Sequence, residues 1–213
     1  MLTLYDYGPS QNGYKVRLLL NHLGLEVRTR QVRIFDGEGQ WPQFLAKNPT
    51  GAVPVLELED GRTLAESNAI LFYLAQGTRY LASDPWLASQ QLRWMFWEED
   101  FIQNGLASLR YWAQTGKLAR RAPPIVHERR VRSEKSLALL DAWLTDREFL
   151  TEAGYSIADM CVFAYVSRAD EAGLALCDYG AVAAWVARVS AQPGFLDEVI
   201  PYAVDPSSSH ELG

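Results

Sequence analysis

An α/β N-terminal domain followed by an all-α C-terminal domain is the fold class that the sequence predicts. Two observations support it. Strand and helix patterns alternate over about the first eighty residues, and only helical periodicity follows. A polar connection at 80–85 separates the two regions. We therefore predict one domain at 1–79, a helical domain at 86–204 and a disordered tail at 205–213.

The N-terminal pattern begins as a strand, a helix and a second strand. Residues 2–7 alternate with β-branched and aromatic side chains, which is typical of a strand. After Ser10, leucine and valine recur at helical spacing until Gly24, where a helix would stop. A weaker strand follows at 26–34. So short a βαβ unit favours parallel strands joined by a right-handed crossover.

The rest of this domain predicts a short helix, a hairpin and a third helix. The short helix covers 41–46. An Asp-Gly pair at 60–61 lies between two extended runs, which is a strong hairpin signal. Ser67 is expected to cap the helix that follows. The predicted order is β-α-β-α-β-β-α.

The second half predicts a helical bundle. One long helix is expected over 86–115, and a second, after a pair of prolines, ends near Leu144. Ser156 and Asp159 have the spacing of a capping box just before an apolar run. A last helix is expected at 181–191.

Composition excludes several classes of function. The chain has 213 residues, 48% of them apolar, and a net charge of −6, which argues against a nucleic-acid-binding protein. Two cysteines form neither a disulfide framework nor a zinc cluster, and three scattered histidines add no metal site. Cys161 and Cys177 are expected to be inert core residues. With no secretory pattern and no membrane-spanning run, we expect a reducing, cytoplasmic location and no membrane partner.

Four segments carry a family resemblance. In order they are SQNGYKVRLLL at 10–20, NPTGAVPVL at 48–56, LAESNAILFYL at 64–74 and YSIADM at 155–160. Together with the helical second half, they resemble the cytosolic glutathione transferases over nearly the whole chain. The resemblance implies a thioredoxin-like N-terminal domain. The Ser-x-Asn-Gly-x-Lys start is most similar to bacterial nu-class-like members, a class associated with glutathione-dependent reduction of disulfides.

The implied reaction uses glutathione as a substrate and requires its thiolate. A thiol with a pKa of about 8.5 is only a few per cent ionised at neutral pH, and lowering that pKa by about two units requires about 2.7 kcal/mol. Ser10 and Asn12, at the start of the first helix, are the candidate catalytic donors. The alternative for Ser10 is that it only caps the helix. Tyr7 is a second choice of donor, and Tyr5 is expected to be an ordinary strand residue.

The resemblance implies further contacts to glutathione. They would come from Gln40, Val53, Pro54, Glu66, Ser67 and Arg129. A cis peptide bond before the proline would let the preceding residue pair with the peptide backbone of the ligand. Three of these contacts also have a structural explanation: an edge-strand proline at Pro54, a helix cap at Ser67, and, for Arg129, a solvated helix face within the basic stretch at 117–135.

These expectations describe a transferase that attacks an electrophilic small molecule, as in detoxification, and acts as a homodimer. The alternatives are a glutathione-dependent disulfide reductase and a non-catalytic binding protein of the same family. The electrophile would lie against aromatic residues of the helical half that are equally plausible as core: Trp94, Trp97, Tyr111 and Trp112.

Overall fold

A computed structural model describes residues 1–198 and 200–202, which form two compact units. One unit comprises residues 1–76 together with the segment that begins at Pro193, and the other comprises residues 77–192. The predicted tail at 205–213 lies outside the described residues.

The C-terminal segment packs on the first unit, whereas the sequence placed residues up to 204 in the helical domain. Hydrogen bonds account for this difference. The Asn21 side chain donates to the Gly194 carbonyl at 2.9 Å, and the Tyr14 hydroxyl donates to the Leu196 carbonyl at 2.8 Å. Both donors lie on the first helix, so the chain returns to the unit in which it began.

A four-stranded mixed sheet forms the centre of the first unit. Its strands are β1 (Leu2–Asp6), β2 (Val27–Gln31), β3 (Val55–Glu57) and β4 (Thr63–Ala65), in the spatial order β2-β1-β3-β4. β1 pairs with β2 in parallel and with β3 antiparallel, and β3 and β4 form the predicted hairpin. The helices are α1 (Gln11–His22), α2 (Pro42–Leu45) and α3 (Ser67–Leu74), which confirms the predicted order.

Alternation along the strands builds two apolar layers. Leu4 lies in the cluster formed with α1 and α3, whereas Tyr5, the next residue, lies in the cluster that contains Phe44 of α2. Successive strand side chains point to opposite faces, so the two layers cover both sides of the sheet. The fully buried residues of the first cluster are Leu4, Val16, Leu56 and Ile70.

The second unit is helical, as predicted. Its helices are α4 (Pro85–Trp97), α5 (Ser108–Gln114), α6 (Pro123–Leu144), α7 (Ile157–Val166) and α8 (Gly180–Ser190). The predicted long helix is divided, because residues Glu98–Ala107 form a π-helical stretch between α4 and α5. α6 packs closely there, since a Cβ on Gly105 would lie 2.8 Å from the Ser133 hydroxyl.

The capping box predicted at the start of α7 is present. The Ser156 side chain accepts from the Ala158 N–H, and the Asp159 carboxylate accepts from the Ser156 N–H at 3.0 Å. The Asp159 carboxylate also accepts from the Leu150 N–H and the Trp185 indole, each at 3.0 Å. Burial raises the pKa of this carboxyl to about 6, and the donors oppose that rise. Asp159 is therefore a folding determinant within the core of the helical unit.

Candidate active site

The start of α1 holds the first candidate donor. Ser10 occupies the N-cap position, with φ −67° and ψ 123°, and its Oγ accepts the Gly13 N–H at 3.2 Å. Ser10 therefore caps α1, as the structural alternative for this residue predicted. This cap does not compete with a catalytic role, because a serine hydroxyl accepts through its lone pairs and still has one proton to donate. Ser10 is half-buried, so a ligand can reach it.

The second candidate donor meets α3. The Ser67 hydroxyl donates to Asn12 Oδ1 at 3.4 Å, which places the first turns of α1 and α3 side by side. With its oxygen turned to Ser67, Asn12 has its Nδ2 group as the part of the side chain that can act as a donor. Lys15, fully buried, reinforces this arrangement, because its ammonium donates to Asn68 Oδ1 at 3.2 Å. Two helix N-termini therefore converge, and both favour an anion.

The cap of α3 differs from the prediction. α3 begins at Ser67 itself, so the predicted capping role of Ser67 is wrong. Glu66 is the N-cap residue and makes no side-chain capping bond. Its φ of 67° is a conformation that residues other than glycine rarely adopt. In this strained turn the Glu66 side chain is exposed beside the buried Ser67. A hydroxyl that can donate to an anion therefore lies next to a carboxylate that can accept from an ammonium.

A candidate peptide-binding edge lies before β3. The Val53–Pro54 peptide bond is cis. Within the described residues, the Val53 N–H and C=O take part in no hydrogen bond. Val53 is half-buried, so an extended ligand could bond to both groups.

The loop that carries Gln40 lies against the turn before Val53. A Cβ on Gly51, whose φ is +72°, would lie 2.4 Å from Gln40 Nε2, and a Cβ on Gly39 would lie 2.3 Å from the Gly51 carbonyl oxygen. Two glycines are needed here because the backbones approach closely. Buried Glu38 anchors the loop by an ion pair with Arg30 at 2.9 Å. This contact between the two loops was not predicted from the sequence.

The two tyrosines of the first strand are not equivalent donors. The Tyr5 hydroxyl donates to Glu57 Oε2 at 2.8 Å, and Lys47 also bonds to that carboxylate at 2.5 Å. Tyr5 is therefore a structural strand residue, as expected. Tyr7 is 1% exposed, and its ring packs edge-on against Phe35 at 5.3 Å. Ser10 and Asn12 are more accessible to a ligand than either tyrosine.

Arg129 lies on α6, in the helical unit. Its guanidinium donates to the Asn104 carbonyl and lies 3.5 Å from Glu128 Oε2. These are contacts within its own unit, and its predicted contact with glutathione stays a prediction.

The two cysteines have different surroundings. Cys161 is fully buried on α7, and its Sγ lies 3.2 Å from Glu98 Oε2. Cys177 is exposed in a short turn at Leu176–Asp178, so the prediction that it lies in the core is wrong. The apolar residues around it in the sequence suggested burial, but the turn points its thiol outward. Among residues 1–198 and 200–202, no cluster of three or more metal-ligating side chains is found, and no helix is long and apolar enough to cross a membrane.

Comparison with known proteins identifies the family. The model of the glutathione S-transferase N-terminal domain matches residues 1–76, and that of the C-terminal domain matches residues 119–193. A glutathione S-transferase of Pseudomonas fluorescens Pf-5 superposes with a TM-score of 0.88 at 39% identity, over 92% of this chain and 97% of that one. The chain belongs to the glutathione S-transferase family. Its two units have the fold of that family, and the members it resembles support glutathione-dependent transferase or reductase activity in general.

Two curated relatives differ in function. The Escherichia coli disulfide-bond oxidoreductase YfcG is 26% identical over 200 residues, which is 91% of this chain and 92% of that protein. Human elongation factor 1-gamma is 30% identical over 171 residues, which is 75% of this chain but only 37% of the factor. Family membership therefore leaves the specific reaction open.

Proposed function

We propose that this glutathione S-transferase binds glutathione at the converging starts of α1 and α3 and transfers its thiolate to an electrophilic small molecule. The observation that carries the proposal is the contact between Asn12 and Ser67 beside the capped Ser10. It brings together, at two helix N-termini, the candidate donors Ser10 and Asn12 for a sulfur anion and the Ser67 hydroxyl, whose proton would turn from Asn12 to a bound carboxylate.

The magnitudes are sufficient for thiol activation. A shift of two units in the pKa of the bound thiol requires about 2.7 kcal/mol. A helix N-terminus supplies about 0.3–1 kcal/mol, and a hydrogen bond to a charged group supplies about 1.5–3 kcal/mol. One hydroxyl bond from Ser10 or one amide bond from Asn12, together with the α1 dipole, meets most of this requirement. Two such bonds exceed it before any contribution from the buried Lys15 ammonium is counted.

The rest of the tripeptide fits the neighbouring groups. The Val53 N–H and C=O would pair with its backbone. The γ-glutamyl carboxylate would bind at Ser67 and the α3 N-terminus, and its ammonium at Glu66. Gln40, held beside the turn before Val53, would provide a further polar contact. We also propose that Arg129 contributes a contact from the helical unit.

Disulfide reduction is the second candidate reaction. The similarity to YfcG over nearly the whole chain favours it, and so does the Ser-x-Asn-Gly-x-Lys sequence that led us to propose a nu-class-like subtype. The bound thiolate would attack one sulfur of a mixed disulfide and release the other as a thiolate. The resemblance to an elongation factor keeps a non-catalytic binding role as the third candidate.

Turnover on two substrates separates these candidates. A transferase will conjugate glutathione to a halonitroarene, and a reductase will reduce a mixed disulfide of glutathione. Binding of glutathione by calorimetry without turnover of either substrate, and without a lowered thiol pKa, would support the binding protein and contradict the enzyme. A Ser10→Ala, Asn12→Ala double variant is the matched control, because it should bind glutathione yet lose activity.

We further propose a cytoplasmic homodimer, since the reaction needs reduced glutathione and the family pattern suggests two-fold assembly. Large apolar side chains exposed on α3 and α4 support an interface on each unit: Phe72, Tyr73, Trp86 and Phe96. Light scattering should give about twice the chain mass of 24.0 kDa. A single-chain mass at micromolar concentration would contradict the dimer.

A further inference from the structure

Arg17 connects three separate parts of the first unit. Its guanidinium pairs with the Asp6 carboxylate at the end of β1, donates to the Gly8 carbonyl at 3.0 Å, and donates to Glu198 Oε2 at 2.9 Å. The side chain is 13% exposed. A planar guanidinium can serve three acceptors in fixed directions, which an ammonium cannot. The loop that ends at Ser10 is thus tied to a strand, a helix and the C-terminal segment.

Asp6 holds the other end of the same loop. Its Oδ1 accepts the Tyr7 N–H at 2.7 Å. A Cβ on Gly13 would lie 1.8 Å from the same oxygen, so the carboxylate lies directly against the first turn of α1. The Gly13 N–H is the group that Ser10 Oγ caps. The position of Asp6 therefore sets where this cap, and with it the Ser10 hydroxyl, can lie.

The C-terminal segment covers this arrangement. A Cβ on Gly8 would lie 3.0 Å from Ile200 Cδ1, and the Tyr202 ring lies 6.0 Å from that of Tyr7. Together with the Glu198 ion pair, these contacts leave the loop little room to move.

Burying this ion pair costs stability. Asp6 is 1% exposed, and burial raises the pKa of its carboxyl to about 6, although Arg17 opposes the rise. At neutral pH the carboxylate is ionised, and an apolar pair of similar volume would often be at least as stable. Because the Asp6–Arg17 pair costs stability and lies at the base of the loop that carries Ser10, it is better explained by holding that loop in place than by stabilising the fold.

We infer that Arg17 and Asp6 are positioning residues that fix the loop at residues 7–10, so that the Ser10 hydroxyl points to the sulfur of bound glutathione. This inference rests on the proposed function. It adds that the donor is pre-oriented by an ion pair that does not touch the substrate. A poorly fixed loop would lose thiolate stabilisation while binding of the peptide part, held by Val53 and Ser67, would persist.

The direction in which Asp6→Asn shifts the pKa of the bound thiol separates a positioning role of Asp6 from a direct effect of its charge. Asp6→Asn keeps an oxygen for the Tyr7 N–H but loses the ionic bond to Arg17. If Asp6 acted only as a negative charge near the sulfur, its removal would lower the pKa of the bound thiol. If it positions the loop, the pKa will rise, because Ser10 donates less well.

The experiment compares Asp6→Asn, Arg17→Lys and Glu198→Gln with wild type. Glu57→Gln is the control, because it makes the same removal of charge on the same sheet, where Glu57 accepts from Lys47 and Tyr5, without touching the loop. We expect the bound-thiol pKa to rise by about one unit in the first two variants. At pH values below the wild-type pKa of the bound thiol, kcat should then fall about tenfold, since a rise of one unit in that pKa removes about nine-tenths of the thiolate. KM for glutathione should change less than twofold.

Amide hydrogen exchange at Gly13 supplies a readout that does not depend on glutathione. It should accelerate in Asp6→Asn and Arg17→Lys, to a smaller extent in Glu198→Gln, and not in Glu57→Gln. Unchanged Gly13 exchange, or a fall in the bound-thiol pKa of Asp6→Asn, would overturn the inference. If wild type stabilises no thiolate, the proposed function fails, and Gly13 exchange still decides whether the loop is clamped. Glu198→Gln, at the exposed end of the network, serves if the other two variants do not fold.

Discussion

Replacing Ser10 by alanine removes two interactions that can be measured separately. One is the cap, in which Ser10 Oγ accepts the Gly13 N–H at 3.2 Å, and its loss should lower the free energy of unfolding by about 1 kcal/mol. The other is the proposed hydrogen bond from the Ser10 hydroxyl to the sulfur of bound glutathione. Because Asn12 and the α1 dipole remain, the pKa of the bound thiol should rise by only about one unit, which corresponds to about 1.4 kcal/mol.

Ser10→Asn is the matched variant. Asparagine caps helices about as well as serine, so the free energy of unfolding should stay within about 0.5 kcal/mol of wild type. Its amide can also donate, so the bound-thiol pKa should rise less than in Ser10→Ala. Urea unfolding measures the first quantity, and ultraviolet titration of the glutathione thiolate measures the second. If Ser10→Ala loses stability but keeps both the bound-thiol pKa and turnover, Ser10 is only a helix cap and the reasoning is wrong.

Three further predictions concern binding and stability. Ser67→Ala should weaken glutathione binding in calorimetry by about 1–3 kcal/mol, the scale of a hydrogen bond to a charged group, and unchanged affinity would argue against the carboxylate site. Gly51→Ala should destabilise the protein more than Gly61→Ala, because both glycines have positive φ but a Cβ meets neighbouring atoms only at Gly51; equal losses in thermal unfolding would contradict the close approach. Because burial raises the pKa of Asp6 to about 6 in the folded state, this carboxyl contributes less to stability as pH rises from about 4 to 6. The free energies of unfolding of wild type and Asp6→Asn should therefore be compared by urea unfolding at pH 5 and pH 7. The difference should shift in favour of Asp6→Asn at pH 7, and a shift in favour of wild type would contradict this.

Local patterns predicted most of the fold. Alternation in β1, the Asp-Gly turn and the capping box at Ser156 each depend on neighbours in sequence, and each is present in the structure. The return of the chain at Pro193 was not predictable in this way, because it depends on bonds from the first helix to carbonyl groups about 170–180 residues away. The exposure of Cys177 depends likewise on the turn that holds it, and not on its apolar neighbours.

Only part of the candidate site could be predicted from the sequence. Motif positions led to Ser10, Asn12 and Ser67, and the structure brings the last two into contact. The conformation of Glu66 was missed, because a positive φ in a residue other than glycine leaves no mark in sequence. Arg17 gave no signal either, since a polar residue on the side of a helix away from its apolar stripe is normally solvated.

The central claim is that this protein binds glutathione and ionises its thiol through donors at the start of α1, without a cysteine there. Ultraviolet titration of glutathione bound to the wild-type protein tests it most directly. The account predicts an apparent pKa near 6.5, about two units below the value of about 8.5 for an unperturbed thiol. Saturated binding with the thiol pKa unchanged would contradict it.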